Sequence, residues 1–130
     1  MEKNKGEKKK RLDDKKRLDD GSGYVYIIHG RRLDFVKIGM TKNKDSLRPR
    51  YNTAYGSNTT IHIYSSDDRR HDETLIHDQF QKYRLEMNHE LFKKHKLTSY
   101  IGYCNDRLKY IETSLPEVDD DVKKIWCLCM

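Results

Sequence analysis

Tyr24-Val25-Tyr26-Ile27-Ile28-His29 and Phe35-Val36-Lys37-Ile38-Gly39-Met40-Thr41, joined by Gly30-Arg31-Arg32-Leu33-Asp34, form the stretch from which the fold is read. Both runs are rich in β-branched and aromatic residues, which suit a pleated surface, and a short Gly-containing connection between two such runs predicts a β-hairpin. Side chains alternate between the two faces of a strand. Val25, Ile27 and His29 therefore share one face of the first strand, and Val36, Ile38 and Met40 share one face of the second. The apolar sets Val25/Ile27 and Val36/Ile38 are assigned to the core. That assignment puts Tyr26 and Lys37 together on the opposite, more polar face.

Working outward, residues 45–55 read as a short helix beginning near Pro49, because proline suits a first turn and not an interior. Gly56-Ser57-Asn58 is a turn, and residues 61–66 (IHIYSS) are a third strand. Ile76, Phe80, Tyr83 and Met87 recur at helical spacing and predict a helix over about 69–84. A further helix over about 97–113 carries Leu97, Ile101, Leu108 and Ile111. The expected architecture is α+β, a small three-stranded antiparallel sheet flanked by helices. Before it, Lys9-Lys10-Arg11-Leu12-Asp13-Asp14 repeats as Lys15-Lys16-Arg17-Leu18-Asp19-Asp20. With only Leu12 and Leu18 apolar, this segment lacks the surface to offset its ordering entropy and is expected to be disordered. It reads as an electrostatic arm, a localisation signal, or a solvated tail. Gly21-Ser22-Gly23 is expected to act as a hinge. The chain divides into a basic arm (1–22), a compact domain (23–95) and a helical C-terminal extension (96–130) with an acidic run, Glu117 to Asp121, and an apolar end.

The 130 residues are 35% hydrophobic and 37% charged, with a mean hydropathy of −1.05, which leaves room for one small domain. No run approaches the roughly 18 apolar residues of a membrane span, and no apolar stretch follows MEKNKGEKKK as a secretory signal requires. The expectation is an intracellular protein of cytoplasm or nucleus with reduced thiols at Cys104, Cys127 and Cys129. Integral membrane proteins, secreted miniproteins and multidomain enzymes are thereby set aside. Net charge is +6, spread as +3 over residues 1–22, +5 over 23–96 and −2 over 97–130. A basic middle segment favours a polyanionic partner, with nucleic acid the commonest. Arg31, Arg32, Lys42, Lys44 and Arg50 are the candidate phosphate contacts.

Gly23-Tyr24-Val25-Tyr26 and Val36-Lys37-Ile38-Gly39-Met40-Thr41 resemble the paired signature of the GIY-YIG nuclease superfamily, in the Y-V-Y and K-I-G-x-T form found in phages and large DNA viruses. Downstream, in the same order, come Arg48, Asn52-Thr53, a helix resembling E-x-x-L-H-x-x-F at Glu73-Thr74-Leu75-Ile76-His77-Asp78-Gln79-Phe80, and Asn88-His89-Glu90-Leu91-Phe92, which resembles N-x-E-W-F. The resemblance spans residues 23–93. It implies a metal-dependent DNA endonuclease of viral flavour. In it Tyr26 positions or deprotonates the attacking water, Lys37 replaces the second signature tyrosine, Arg48 steadies the phosphate charge, and Glu73 binds Mg²⁺ or Mn²⁺. Pro49 pushes residue 48 away from helical angles, so Arg50 stands as the alternative to Arg48.

Independently of the resemblance, Glu73 and His77 lie four apart, so an acid and a base share one helical face, with Arg84 continuing it. His71 and His77 are six apart, which excludes the H-E-x-x-H zinc motif. Cys104, Cys127 and Cys129 lack both zinc-knuckle spacing and a fourth ligand. Cys127-Leu128-Cys129-Met130 fits a prenylation box, set against an apolar tail that packs through Trp126. Asn58-Thr59-Thr60 matches a glycosylation acceptor, which carries no meaning without a secretory route. Two other functions compete with the nuclease: a DNA-binding module without turnover, and a small protein held at a membrane surface by a lipid on Cys127.

Overall fold

A computed structural model describes residues 19–85 and 90–116. The basic repeat before Asp19, Met87, Asn88-His89, the acidic run and the Cys127–Met130 prenylation box lie outside the described residues.

The sheet is five-stranded and antiparallel, in the order β4-β2-β1-β3-β5, where β1 is Gly23–Gly30, β2 Phe35–Thr41, β3 Thr59–Ser66, β4 Leu91–Lys93 and β5 Lys109–Ser114. Three α-helices accompany it: α1 (Leu47–Tyr55), α2 (Arg69–Gln79) and α3 (Leu97–Arg107). This corrects the expected three-stranded sheet. The predicted hairpin and the strand over 61–66 are its centre, and β4 and β5 are added at its edges. Both additions have a physical reason for escaping a periodicity reading. β4 is three residues long, and β5 is exposed along most of its length, so neither carries a strong apolar alternation. The helix expected over 97–113 ends at Arg107, and Ile111 belongs to β5. The helix expected over 69–84 likewise closes at Gln79, followed by a 3-10 turn at Gln81–Tyr83.

β1 is the spine. It pairs with β2 through Tyr26↔Gly39 and Ile27↔Ile38, and with β3 through Tyr26↔Ile63 and Ile27↔His62. Its two faces feed two separate cores. Val25, Ile27, Val36 and Ile38, all fully buried, pack with Ile76 of α2, with Phe80 at its C-terminal end, and with Tyr100 and Cys104 of α3. Tyr26, Ile28, Ile61 and Ile63 pack with Leu47 and Tyr51 of α1. Tyr26 and Lys37 do share a face, as the alternation requires. That face is roofed by α1, so Tyr26 is only 2% exposed.

Local chemistry sets the helix ends. Asn43 accepts from the Asp45 N–H and opens a 3-10 turn at Lys44–Ser46 that leads into α1. Pro49 falls in the first turn of α1, where a missing N–H costs nothing. Gly56 closes α1 at φ +84°, in the left-handed region that favours glycine, and its N–H returns to the Asn52 carbonyl. Asp68 caps α2 by accepting from the His71 N–H at 3.3 Å. The expected Gly21-Ser22-Gly23 hinge is instead a seat. The Arg69 N–H donates to the Gly21 carbonyl at 2.9 Å, and the Arg69 guanidinium donates to the Ser22 carbonyl at 2.8 Å and to both carboxylate oxygens of Asp19.

On the α2/α3 side, His29 and His62 meet at Nε2···Nε2 2.8 Å. One imidazole must donate and the other accept, so the two rings cannot both be cationic. Burial, followed by the proximity of His62, pushes His29 down to about 4, and burial also lowers His62. Because the folded pKa values lie below the unfolded value near 6.5, this pair contributes stability above about pH 6.5 that is lost as pH falls toward 4. Urea denaturation at pH 7, 5.5 and 4.5 should therefore show a smaller acid loss for His29→Leu than for the wild type; equal slopes would refute the assignment. A second prediction concerns β2. A Cβ on Gly39 would meet Tyr26 Oη at 2.5 Å and Cζ at 2.7 Å. Gly39→Ala should cost about 1–3 kcal/mol of unfolding free energy by overpacking.

Candidate active site

The site forms where Tyr26 crosses Gly39 beneath α1. With no side chain at residue 39 the Tyr26 ring lies over the neighbouring strand, and its Oη meets Tyr51 Oη of α1 at 2.5 Å. Tyr51 stacks on Tyr55 with centroids 5.3 Å apart, and Tyr55 meets the edge of Phe35, also at 5.3 Å. Two cations flank this ladder of rings: Lys37 Nζ lies 5.6 Å from the Tyr51 centroid and the Arg50 guanidinium 5.9 Å from it. Burial, reinforced by the bond to Tyr51, holds the Tyr26 phenol far above the ordinary tyrosine range. Tyr26 is therefore a neutral hydroxyl at any physiological pH.

Lys37, 7% exposed, donates to the carboxylate of Glu90. Burial works to lower the lysine, but the hydrogen bond and charge of Glu90 prevail and raise it above the ordinary value. Glu90 is itself fixed by the backbone, since the Ile38 N–H donates to its carbonyl at 2.9 Å. β4 pairs with β2 only from Phe35 to Lys37, so the rest of β2 has no further strand beside it at this edge among the described residues.

Glu73 comes from α2. His77, one turn further along, donates from Nε2 to the Ile38 carbonyl at 2.9 Å and tilts against Phe92 at 5.1 Å, which locks the helix onto β2. A carbonyl only accepts, so His77 is the Nε2-protonated tautomer, and burial lowers its pKa. Glu73 Oε2 is buried and has no hydrogen-bond partner among the described residues. Burial pushes the carboxyl up to about 7, with the Glu90 charge adding to the shift and Lys37 opposing it. An orphaned buried carboxylate oxygen is costly unless a proton or a cation compensates it. That donor, all oxygen and carboxylate, fits a hard divalent ion such as Mg²⁺ or Mn²⁺. No cluster of three or more His, Cys, Asp or Glu residues among the described residues could hold a metal, so such an ion would rest on Glu73 with Glu90 nearby.

The structure thus brings Tyr26, Lys37 and Glu73 toward one edge of the sheet, and it employs His77 in seating the helix that carries Glu73. Arg48 lies elsewhere. Its guanidinium donates to the Thr59 and Ser114 carbonyls at 3.0 and 2.8 Å, to the Leu115 carbonyl at 3.0 Å and to the hydroxyls of Ser114 and Thr59, which straps β5 to β3 and α1. Arg50, exposed above Tyr51, is the arginine beside the ring ladder. Among the candidate phosphate contacts, Arg31 and Arg32 are exposed in the β1–β2 turn and Lys42 lies at the opposite end of the hairpin, 3.8 Å from Asp19. Lys44 is paired with Glu112 at 2.7 Å. Tyr51, Tyr55 and Glu90 are members of the cluster that the residue pattern did not single out. Tyr51 and Tyr55 at i, i+4 were the available signal for the first two. Glu90 stood in a quoted motif without a role.

Arg48 and Arg50 therefore separate by stability. Arg48→Ala should cost about 2–3 kcal/mol in denaturant unfolding, because it leaves several carbonyls unpaired. Arg50→Ala should stay within about 0.5 kcal/mol of the wild type. Equal costs would refute the division.

Comparison with known proteins adds family membership. The T5orf172 domain model matches residues 23–125. An uncharacterized protein of Acanthamoeba polyphaga mimivirus, L754, is 31% identical over 96 residues, covering 73% of this chain and 25% of that protein. The chain thus spans about a quarter of the length of the curated relative it matches. No solved structure matches. The match corrects the GIY-YIG resemblance: the family whose model fits is a different one. T5orf172 domains are commonly nuclease-like or DNA-binding in phages and viruses. With its strands, helices and site residues all inside the matched region, the chain belongs to the T5orf172 domain family.

Proposed function

We propose that this chain is a metal-dependent DNA endonuclease that hydrolyses phosphodiester bonds at the cluster of Tyr26, Lys37, Arg50, Glu73 and Glu90. The observation that carries the reading is the Glu73 carboxylate, with one buried oxygen lacking a partner among the described residues and a buried ammonium nearby. Glu73 would hold Mg²⁺ or Mn²⁺, and the ion when bound would supply positive charge against the phosphate oxygens. The chain's own groups do the rest. As the water oxygen bonds to phosphorus it passes its proton to solvent, the bond to the leaving sugar oxygen breaks, and that oxygen takes a proton back from solvent; meanwhile negative charge grows on the phosphoryl oxygens, and preorganised cations stabilise it. Arg50 is exposed for that contact, and Lys37 sits at the base of the same ring ladder. Tyr26, held neutral, serves as a hydroxyl donor and not as a base. His77 fixes the helix that aims Glu73.

A second reading, a DNA-binding module without turnover, has its own support. Tyr26 is 2% exposed, and the Lys37 ammonium already engages Glu90. No helix among the described residues is long and apolar enough to cross a bilayer, and the surface reading through a lipid on Cys127 falls outside those residues.

Nicking of supercoiled plasmid and of a branched oligonucleotide, in Mg²⁺, Mn²⁺ or EDTA, separates the two. The nuclease reading expects metal-dependent cleavage that falls roughly 10²-fold or more in Glu73→Gln and in Arg50→Ala, with DNA affinity in Glu73→Gln retained. A well-folded wild type that binds DNA and cuts none of these substrates would overturn it in favour of the binding module.

A further inference from the structure

Beside the β4 edge, two lysines from separate 3-10 turns meet one ring. Lys82 Nζ lies 5.0 Å and Lys96 Nζ 5.3 Å from the centroid of Tyr83, and the His95 ring meets it edge-on at 5.9 Å. Lys93 ends β4 and is exposed on the α1 face, across from Phe35. Hydrogen bonding from Lys82, and then the charges of Lys82 and Lys96, pull the Tyr83 phenol below its ordinary range, which reports a positive local field. Among the described residues, Lys82, Lys93 and Lys96 have no ion-pair partner. Their neighbour Lys94 differs: it donates to the Gly30 and Leu33 carbonyls at 2.9 and 2.8 Å and braces the β1–β2 turn. Lysine on an edge strand also blocks unwanted strand pairing. That use explains Lys93 alone, and not the convergence of Lys82 and Lys96, from two different 3-10 turns, on Tyr83.

The register separates Lys93 from this ring: Lys93 faces Phe35 on the α1 side with Lys37, whereas Tyr83 packs against the α2/α3 core, so Lys82 and Lys96 stand on the other side of the β4 edge.

We propose that Lys82 and Lys96 around Tyr83 form a phosphate-binding shelf that grips nucleic-acid backbone beside the β4 edge. The proposal rests on the nucleic-acid reading of the chain but not on cleavage. Charge complementarity is what selects the partner: ammoniums with no carboxylate partner among the described residues suit a polyanion, and phosphate contacts of this kind position a strand without reading its bases.

The test is duplex DNA binding across a salt series in EDTA, with the full chain. Lys82→Ala/Lys96→Ala should weaken binding about tenfold and reduce the slope of log affinity against log salt by close to 2. Arg70→Ala/Lys109→Ala removes two exposed charges on other elements and should leave the slope within about half a unit of the wild type. Circular dichroism verifies that both variants fold. Equal losses in the two variants would reduce the effect to net charge and overturn the shelf, as would an unchanged slope in the first. Unchanged DNA binding, together with lost binding to phosphatidylserine vesicles, would overturn it in favour of a membrane surface. Because binding is read without metal, a wild type that binds but never cuts refutes only the nuclease reading.

Discussion

Tyr26 can lie across its neighbouring strand only because residue 39 has no side chain, and much of the molecule is arranged around that contact. The ring fills the space a Cβ would occupy, its hydroxyl reaches Tyr51, and α1 is thereby registered over the sheet. Once α1 is seated, Tyr55, Phe35, Arg50 and Lys37 fall into place around Tyr51. Close packing transmits such a constraint because interiors have little free volume to absorb a shift. The phenol is consequently a structural pin as well as a polar group at the site.

The two sides of the sheet carry different burdens. The α2/α3 side is apolar and conventional, and its thiol, Cys104, is pushed up to about 12 by burial, which makes it an unreactive core residue. The charges gather near the β2–β4 edge, Lys37 from the α1 face and Glu73 from α2. Lys37 and Glu90 compensate one another, whereas Glu73 is raised to about 7 with an oxygen unsatisfied. Uncompensated polarity of that kind is retained where it serves binding or chemistry more often than where it serves folding.

The central hairpin was legible in the sequence because alternation is a property of the backbone, independent of what eventually covers each face. It correctly separated Val25, Ile27, Val36 and Ile38 from Tyr26 and Lys37. It did not reveal that α1 would roof the second face, since a tyrosine-lined surface reads alike whether wet or covered. The edges were illegible for another reason: a strand hydrogen-bonded on one side only needs little apolar character, and Lys109 to Ser114 has little. The arginine at the site depended on tertiary direction. Arg48 and Arg50 are two residues apart on a helix and so point to different sides, one to the β3–β5 edge and one over the rings. Motifs read in the sequence pointed to one family, whereas the family model that matches is another.

The strap made by Arg48 joins residues 66 and 67 positions apart in the chain. Contacts of that separation close late, since loop entropy must be overcome before they contribute. During synthesis β1, β2 and β3 emerge together and can pair, while the outer edge of β3 waits for Lys109–Ser114 to arrive. For that interval the nascent sheet presents an open β-strand edge to its surroundings, and how quickly the last strand is delivered governs its exposure to misassociation.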